Sequence, residues 1–312
     1  MPLEDTMTQV GLWREIRQDM RDLGISSNRL GKINNVWYIF PDGHGPRGAY
    51  STITSIKDNL RSRDLIVIGG VLRDQLQLPL DLYDLTFVGA ANKPRQATSA
   101  GVPTGGGASW LPPTSPTALT PLCEVRSAGA EFYNIEFTPH TSSAGVRLTR
   151  SAVTDTIDAS HAKFSGCLFG ANGGSGQIGI EDNGGASRVT IEKTIFEGLT
   201  GTAILGLNTA AAIPLGWRIY KNLFLRNTNA IAMSLTQGLI DWNVINQAAN
   251  DANNKVNLVS VAGQGSLNMV LHNVFSDAAA NVTIAKGYKP GTTDVWRNWV
   301  TDVAAYIVTV PA

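Results

Sequence analysis

Charged residues are scarce in this 312-residue chain, at 16% against roughly a quarter in ordinary soluble domains. The scarcity is even-handed: Lys plus Arg and Asp plus Glu each total 25, giving a formal net charge of zero. A neutral balance gives no electrostatic ground for a nucleic-acid partner. No apolar run approaches the roughly 18 residues of a membrane span, so no membrane partner is expected. Met1–Leu12 has neither the basic start nor the apolar stretch of a secretory leader. Cysteine is nearly absent. Cys123 and Cys167 both lie in apolar runs and outside any metal-ligand spacing, so they are expected to be buried free thiols. His44, His140, His161 and His272 are scattered and form no HExxH pair. No G-x-S-x-G occurs, and the glycine-rich GHGPRG stretch lacks the Lys-Ser/Thr of a phosphate loop. The acidic EDNGG stretch at 181–185 lacks the alternating ligand spacing of a Ca²⁺ loop. No metal and no cofactor are therefore expected.

What is present is small, turn-forming and apolar. Gly totals 32, above the usual share of about 7%, and 43% of the chain is hydrophobic. Residues 1–30 stand apart as an N-terminal helical segment. TQVGLWREIRQDMRDLG places Val10, Trp13, Ile16, Met20 and Leu23 at spacings of three and four, with Thr8 as N-cap and Gly24 as stop. It reads either as a helix packed on its own domain or as a docking and oligomerisation segment, with Trp13, Ile16 and Met20 as anchors. The remainder, 31–312, reads as one domain. Ser51 is placed to cap a short helix over 51–61, whose Ile53, Ile56 and Leu60 share a face. Residues 91–121 hold six of the fourteen prolines and no periodicity, which suggests a long inserted loop with Trp110 exposed near its tip.

From residue 123 a six-residue pattern returns: Phe132–Phe137, Phe164–Phe169, Ile191–Phe196, Ile219–Phe224, Ile240–Ile245, Val270–Phe275 and Val295–Val300. Its copies end 32, 27, 28, 21, 30 and 25 residues apart. The third or fourth position is Asn in five copies and Gly in one, residues that tolerate the left-handed backbone of a sharp bend. Further short apolar runs follow the copies, including Gly145–Leu148, Gln177–Ile180, Ala203–Leu205, Ala230–Met233, Leu258–Val261 and Val282–Ile284. A period of 20–30 residues with strand composition means a solenoid, in which spacing varies because insertions fall at bends. The fold class is all-β, a right-handed parallel β-helix of about eight or nine coils with an N-terminal α-helical segment.

The stretch AYSTITSI…RDLIVIGGVLRDQLQL…LTFVGA resembles the opening of pectin-lyase-like β-helices, and Asn134–Phe137 followed by Ala144–Leu148 is similar to their second coil. The resemblance covers roughly residues 35–300. Within that superfamily the modest size and Ala/Thr/Asn-rich rungs look like bacteriophage appendages such as tailspikes and tail fibres. That resemblance implies a virion structural protein, a homotrimer bound to other tail or capsid proteins through its N-terminal segment and attached to a host surface glycan. Such a protein leaves the cell by lysis and needs no leader. The V-x-x-F-G-A-x-G-D-G frame of many enzymatic tailspikes is absent.

Catalysis would need paired carboxylates on outward positions of neighbouring coils. Glu181, Asp182 and Glu192 are the candidates, but none forms a recognised pair, so the reading favours a non-enzymatic protein and assigns no catalytic residue. A polysaccharide depolymerase and a capsid decoration protein are the alternatives. Aromatic faces stack on sugar rings, which makes Trp110, Trp217 and Tyr220 the candidate binding residues; Trp242, Trp296 and Trp299 join them in the later coils. Stacking or subunit packing is weighed above glycan binding for this aromatic group.

Overall fold

The computed structural model describes residues 32–43, 45–90, 108–151, 157–171, 173–206, 213–246, 256–258, 267–276, 295–300 and 305–307. The N-terminal segment with Trp13, Ile16 and Met20, and the run at 282–284, lie outside them.

Short strands follow one another around three faces. The first face carries Val36–Ile39, Leu65–Ile68, Thr86–Gly89, Glu131–Tyr133, Lys163–Ser165, Thr190–Glu192, Arg218–Tyr220 and Leu239–Asp241. The second carries Val71–Arg73, Ala108–Leu111, Ile135–Phe137, Leu168–Gly170, Ile195–Glu197, Leu223–Leu225 and Val244–Asn246. Met269–Ser276 and Val295–Val300 are longer, and each runs across the bend from the first face to the second. The third is a separate seven-stranded sheet from Leu76–Gln77 to Val256–Leu258. Within each face every strand pairs in parallel with its counterpart one turn later. Parallel crossovers of this kind are right-handed. The chain is a right-handed parallel β-helix. Among the described residues seven coils are complete on all three faces, and Met269–Ser276 and Val295–Val300 add two more on the first two. The final described strand, Ala305–Ile307, pairs antiparallel with Val295–Val300.

In the first five copies the repeated hexapeptide spans two strands joined by a bend of one or two residues, and in the last two a single strand crosses that bend. The hexapeptide's first residue enters the core from the first face and its sixth from the second. Phe87, Phe132 and Phe164 stack in one column, with centroids 4.8 and 5.1 Å apart. Phe137, Phe169, Phe196 and Phe224 stack in the other at 4.8, 5.1 and 4.9 Å. These spacings match the rung-to-rung distance of a parallel sheet. Each stacked pair adds about 0.5–1.5 kcal/mol to its burial. Opposite the second stack the third face is Gly145 and Gly179, where a Cβ would come within 2.9 Å of the Phe169 and Phe196 rings respectively.

Several expectations change. The 51–61 helix is a turn with one 3₁₀ segment, Lys57–Asn59. Ile53, Ile56 and Leu60 do share a buried face. The carboxylate of Asp74, rather than Ser51, accepts from the Ile53 and Thr54 amides. The loop expected over 91–121 contains a buried core strand, Ala108–Leu111. The seventh hexapeptide is shifted: Trp296, not Val295, pairs with Val270, and the register slips between Leu271 and Val274. The run expected at Leu258–Val261 is described as the strand Val256–Leu258, and residues 259–261 lie outside the described set. Both cysteines are buried and free, as expected. Burial pushes their thiols up, Cys167 to about 12.

Candidate functional site

The bend between the first and second faces sets one residue of each of the first six hexapeptides, the third, in left-handed backbone. These residues are Asn134, Gly166, Lys193, Lys221, Trp242 and His272, with φ of 54°, 64°, 52°, 57°, 54° and 51°. The sequence pattern pointed to Asn and Gly as bend formers, yet the last four are large side chains. The fourth position explains how they are tolerated. In the first two copies it is Ile135 and Cys167, and the bend residue is Asn or Gly. In the next four it is Thr194, Asn222, Asn243 and Asn273, all buried. The Asn243 amide donates to Ile219 O at 2.9 Å and to Asn273 Oδ1 at 2.8 Å. Its own Oδ1 accepts from the Asn222 backbone and side chain. Asn222 Oδ1 accepts from the Thr194 backbone amide, and Asn298 Oδ1 accepts from the Asn273 backbone and side chain. This amide ladder holds the bend, so the preceding residue is released from being Gly or Asn.

The result is an outward ridge along the solenoid edge. Lys193, Lys221 and Trp242 are exposed, Trp242 by 60%. Its indole stacks on the His272 ring at 5.0 Å and 23°. His272 Nδ1 lies 3.0 Å from Asp241 Oδ1, which fixes the imidazole's orientation.

Beside the ridge, on the first face, Glu192 gathers neighbours from the rungs on either side. One oxygen accepts from Ser165 Oγ at 3.0 Å and pairs with Lys163 Nζ at 2.9 Å. The other accepts from the Tyr220 hydroxyl. Partial burial works against the Glu192 charge, but bonds from Tyr220, Lys163 and Ser165 outweigh it and hold its pKa below the usual carboxylate range. Burial and the Glu192 carboxylate push Tyr220 up to about 12. With both oxygens engaged, Glu192 is an anchored anion and a poor proton acceptor. Asp241 lies in the same column two rungs on, about 10 Å by sheet spacing.

The other sequence candidates fall elsewhere. Glu181 faces outward on the third face and pairs with Arg147 at 2.7 Å. Asp182, expected to be a solvated outward charge, points inward and is fully buried. It accepts from the Gly185 and Ala186 amides at 3.2 and 2.8 Å. Burial raises it to about 7 against those bonds. Trp110 and Trp217 are fully buried and unable to stack on a ligand. Their indoles donate to Asp74 O at 3.0 Å and Ala186 O at 2.6 Å. Of Trp110, Trp217 and Tyr220, only Tyr220 borders the ridge, and Trp242 stands on it. Among the described residues no group of His, Cys, Asp and Glu could hold a metal.

Trp242 is among the aromatic candidates of the later coils, whereas His272, Lys193 and Lys221 are not selected from the sequence, although one signal is available: all four occupy the third position of successive copies.

The three stacked parallel faces define the chain as a parallel β-helix. No protein-family model and no curated protein matches the sequence. One solved structure that it resembles is the pectin methylesterase from Aspergillus niger in deglycosylated form. The alignment has a TM-score of 0.40 and 13% identity, over 86% of this chain and 83% of that one.

Proposed function

We propose that this chain is a non-enzymatic β-helical attachment protein, a spike or fibre of a bacteriophage virion that holds host surface glycan. The observation that carries glycan holding is the Trp242 platform: a mostly exposed indole, backed by an imidazole that a carboxylate orients, on the edge of a rigid solenoid. Stacking of sugar C–H groups on such a face needs no reacting group. The engaged oxygens of Glu192 fit holding better than cleavage. The virion setting, the homotrimer and the tail or capsid partners of residues 1–30 are parts of the same proposal. They rest on the sequence resemblance to phage appendages.

A second reading, depolymerisation of the bound chain, is favoured by the Asp241–His272 pair, which is suited to proton transfer. Incubating the protein with host surface polysaccharide and measuring new reducing ends and unsaturated products separates the two. Attachment predicts binding with unchanged chain length, and Trp242→Ala weakens it. Release of oligosaccharides that His272→Ala abolishes would replace attachment with cleavage.

A further inference from the structure

The ridge carries more than an aromatic platform. Lys193 and Lys221 precede Trp242 at the same bend position of consecutive rungs, so their backbones are about 4.8 Å apart. Both are exposed, and neither enters an ion pair among the described residues. The nearby carboxylates are committed elsewhere: Glu192 to Lys163 and Tyr220, Asp241 to His272, and Glu197 to Arg226. Arg218, also exposed, lies one strand away on the Lys221 rung.

Two features set these lysines apart from ordinary solvated charges. Like charges on adjacent rungs repel, and lysine is a poor occupant of left-handed backbone. Asn134 and Gly166 fill that position in the two preceding rungs without either cost. The chain instead places Thr194 and Asn222 behind the lysines to hold the bend. The amide ladder therefore supports the same run of rungs that displays Lys193, Lys221, Trp242 and His272.

We propose that this ridge selects an acidic glycan, whose carboxylate, sulfate or phosphate groups meet Lys193 and Lys221 while a neighbouring ring stacks on Trp242. The inference rests on the attachment reading and names its ligand class. The chain would run along the solenoid axis, since one rung step is close to the length of one pyranose unit. Lys ammonium groups recognise such anions through charge-assisted hydrogen bonds.

The test is affinity electrophoresis of the full chain in gels holding alginate or polysialate, and dextran or pullulan as neutral counterparts. The expected result is retardation by at least one acidic polymer and by neither neutral one. In Lys193→Gln/Lys221→Gln the retention falls by about tenfold and loses most of its salt dependence. Trp242→Ala weakens it at every salt concentration. The double variant should unfold at the same temperature as the parent, because both side chains are exposed. Equal retention of parent and double variant, or equal retardation by dextran and alginate, overturns the acidic-glycan inference and leaves attachment standing. No retardation by any of the four polymers overturns both.

Discussion

Left-handed backbone costs an ordinary residue about 1–2 kcal/mol, and Lys221 sits there at φ 57°. Replacing it with Gly removes that strain but loosens the unfolded chain. Lys221→Gly is thus expected to raise unfolding free energy by up to about 1 kcal/mol, read by urea titration, while weakening glycan retention. A loss of stability would show that the bend is unstrained. Asp182 gives a pH signature. Burial lifts its folded value to about 7, well above the ordinary carboxylate range, so folding favours the protonated form. That stabilisation is complete below about pH 4 and is lost as pH rises through 7. Wild type should lose on the order of a few kcal/mol between pH 4 and 8, and Asp182→Asn should flatten the curve. Parallel curves would show that Asp182 does not titrate in this window.

Ladders decide stability at the level of strands and bends. Asn243 joins three rungs through its side chain. Asn243→Ala leaves the Asn222 amide and Ile219 O without those partners, at about 1–3 kcal/mol for each buried group left unpaired. Phe169 lies between Phe137 and Phe196, and Phe169→Ala should cost about 3–5 kcal/mol. Chemical denaturation measures both, and a loss below 1 kcal/mol in either would argue against the ladder concerned. These elements also show what the sequence reveals. Phe at the sixth position of successive copies announces an inward column, because core alternation is written directly in residue type. The turn over 51–61 misleads because Ile53, Ile56 and Leu60 satisfy helical spacing, while the Asp74 carboxylate that captures the turn's amides lies outside that segment. Trp110 misleads because its segment is flanked by Gly105–Gly107 and Pro112–Pro113, and pairing with Val71–Arg73 and Ile135–Phe137 makes it a strand. The ridge is hard to see because it is made by one position in many copies, not by any contiguous stretch.

In a solenoid each coil touches its neighbours alone, so a whole turn is close to an independent unit. Thr190 pairs with Arg218 one turn on. Deleting Thr190 through Trp217 joins equivalent points of two coils and should place Ile219 on Phe164 and Phe224 on Phe169. The shortened chain is expected to fold with the β-rich circular dichroism of the parent and a lower midpoint. An insoluble or unfolded product would show that the coils are not interchangeable. The last described strand bears on a different hazard. A parallel β-helix ends in open hydrogen-bonding edges that match the opposite end of another copy, an invitation to unlimited head-to-tail polymerisation. Ala305–Ile307 runs against the grain of the stack. That reversed polarity gives this last described edge the wrong direction for a further parallel coil, which disfavours filament growth by stacking there.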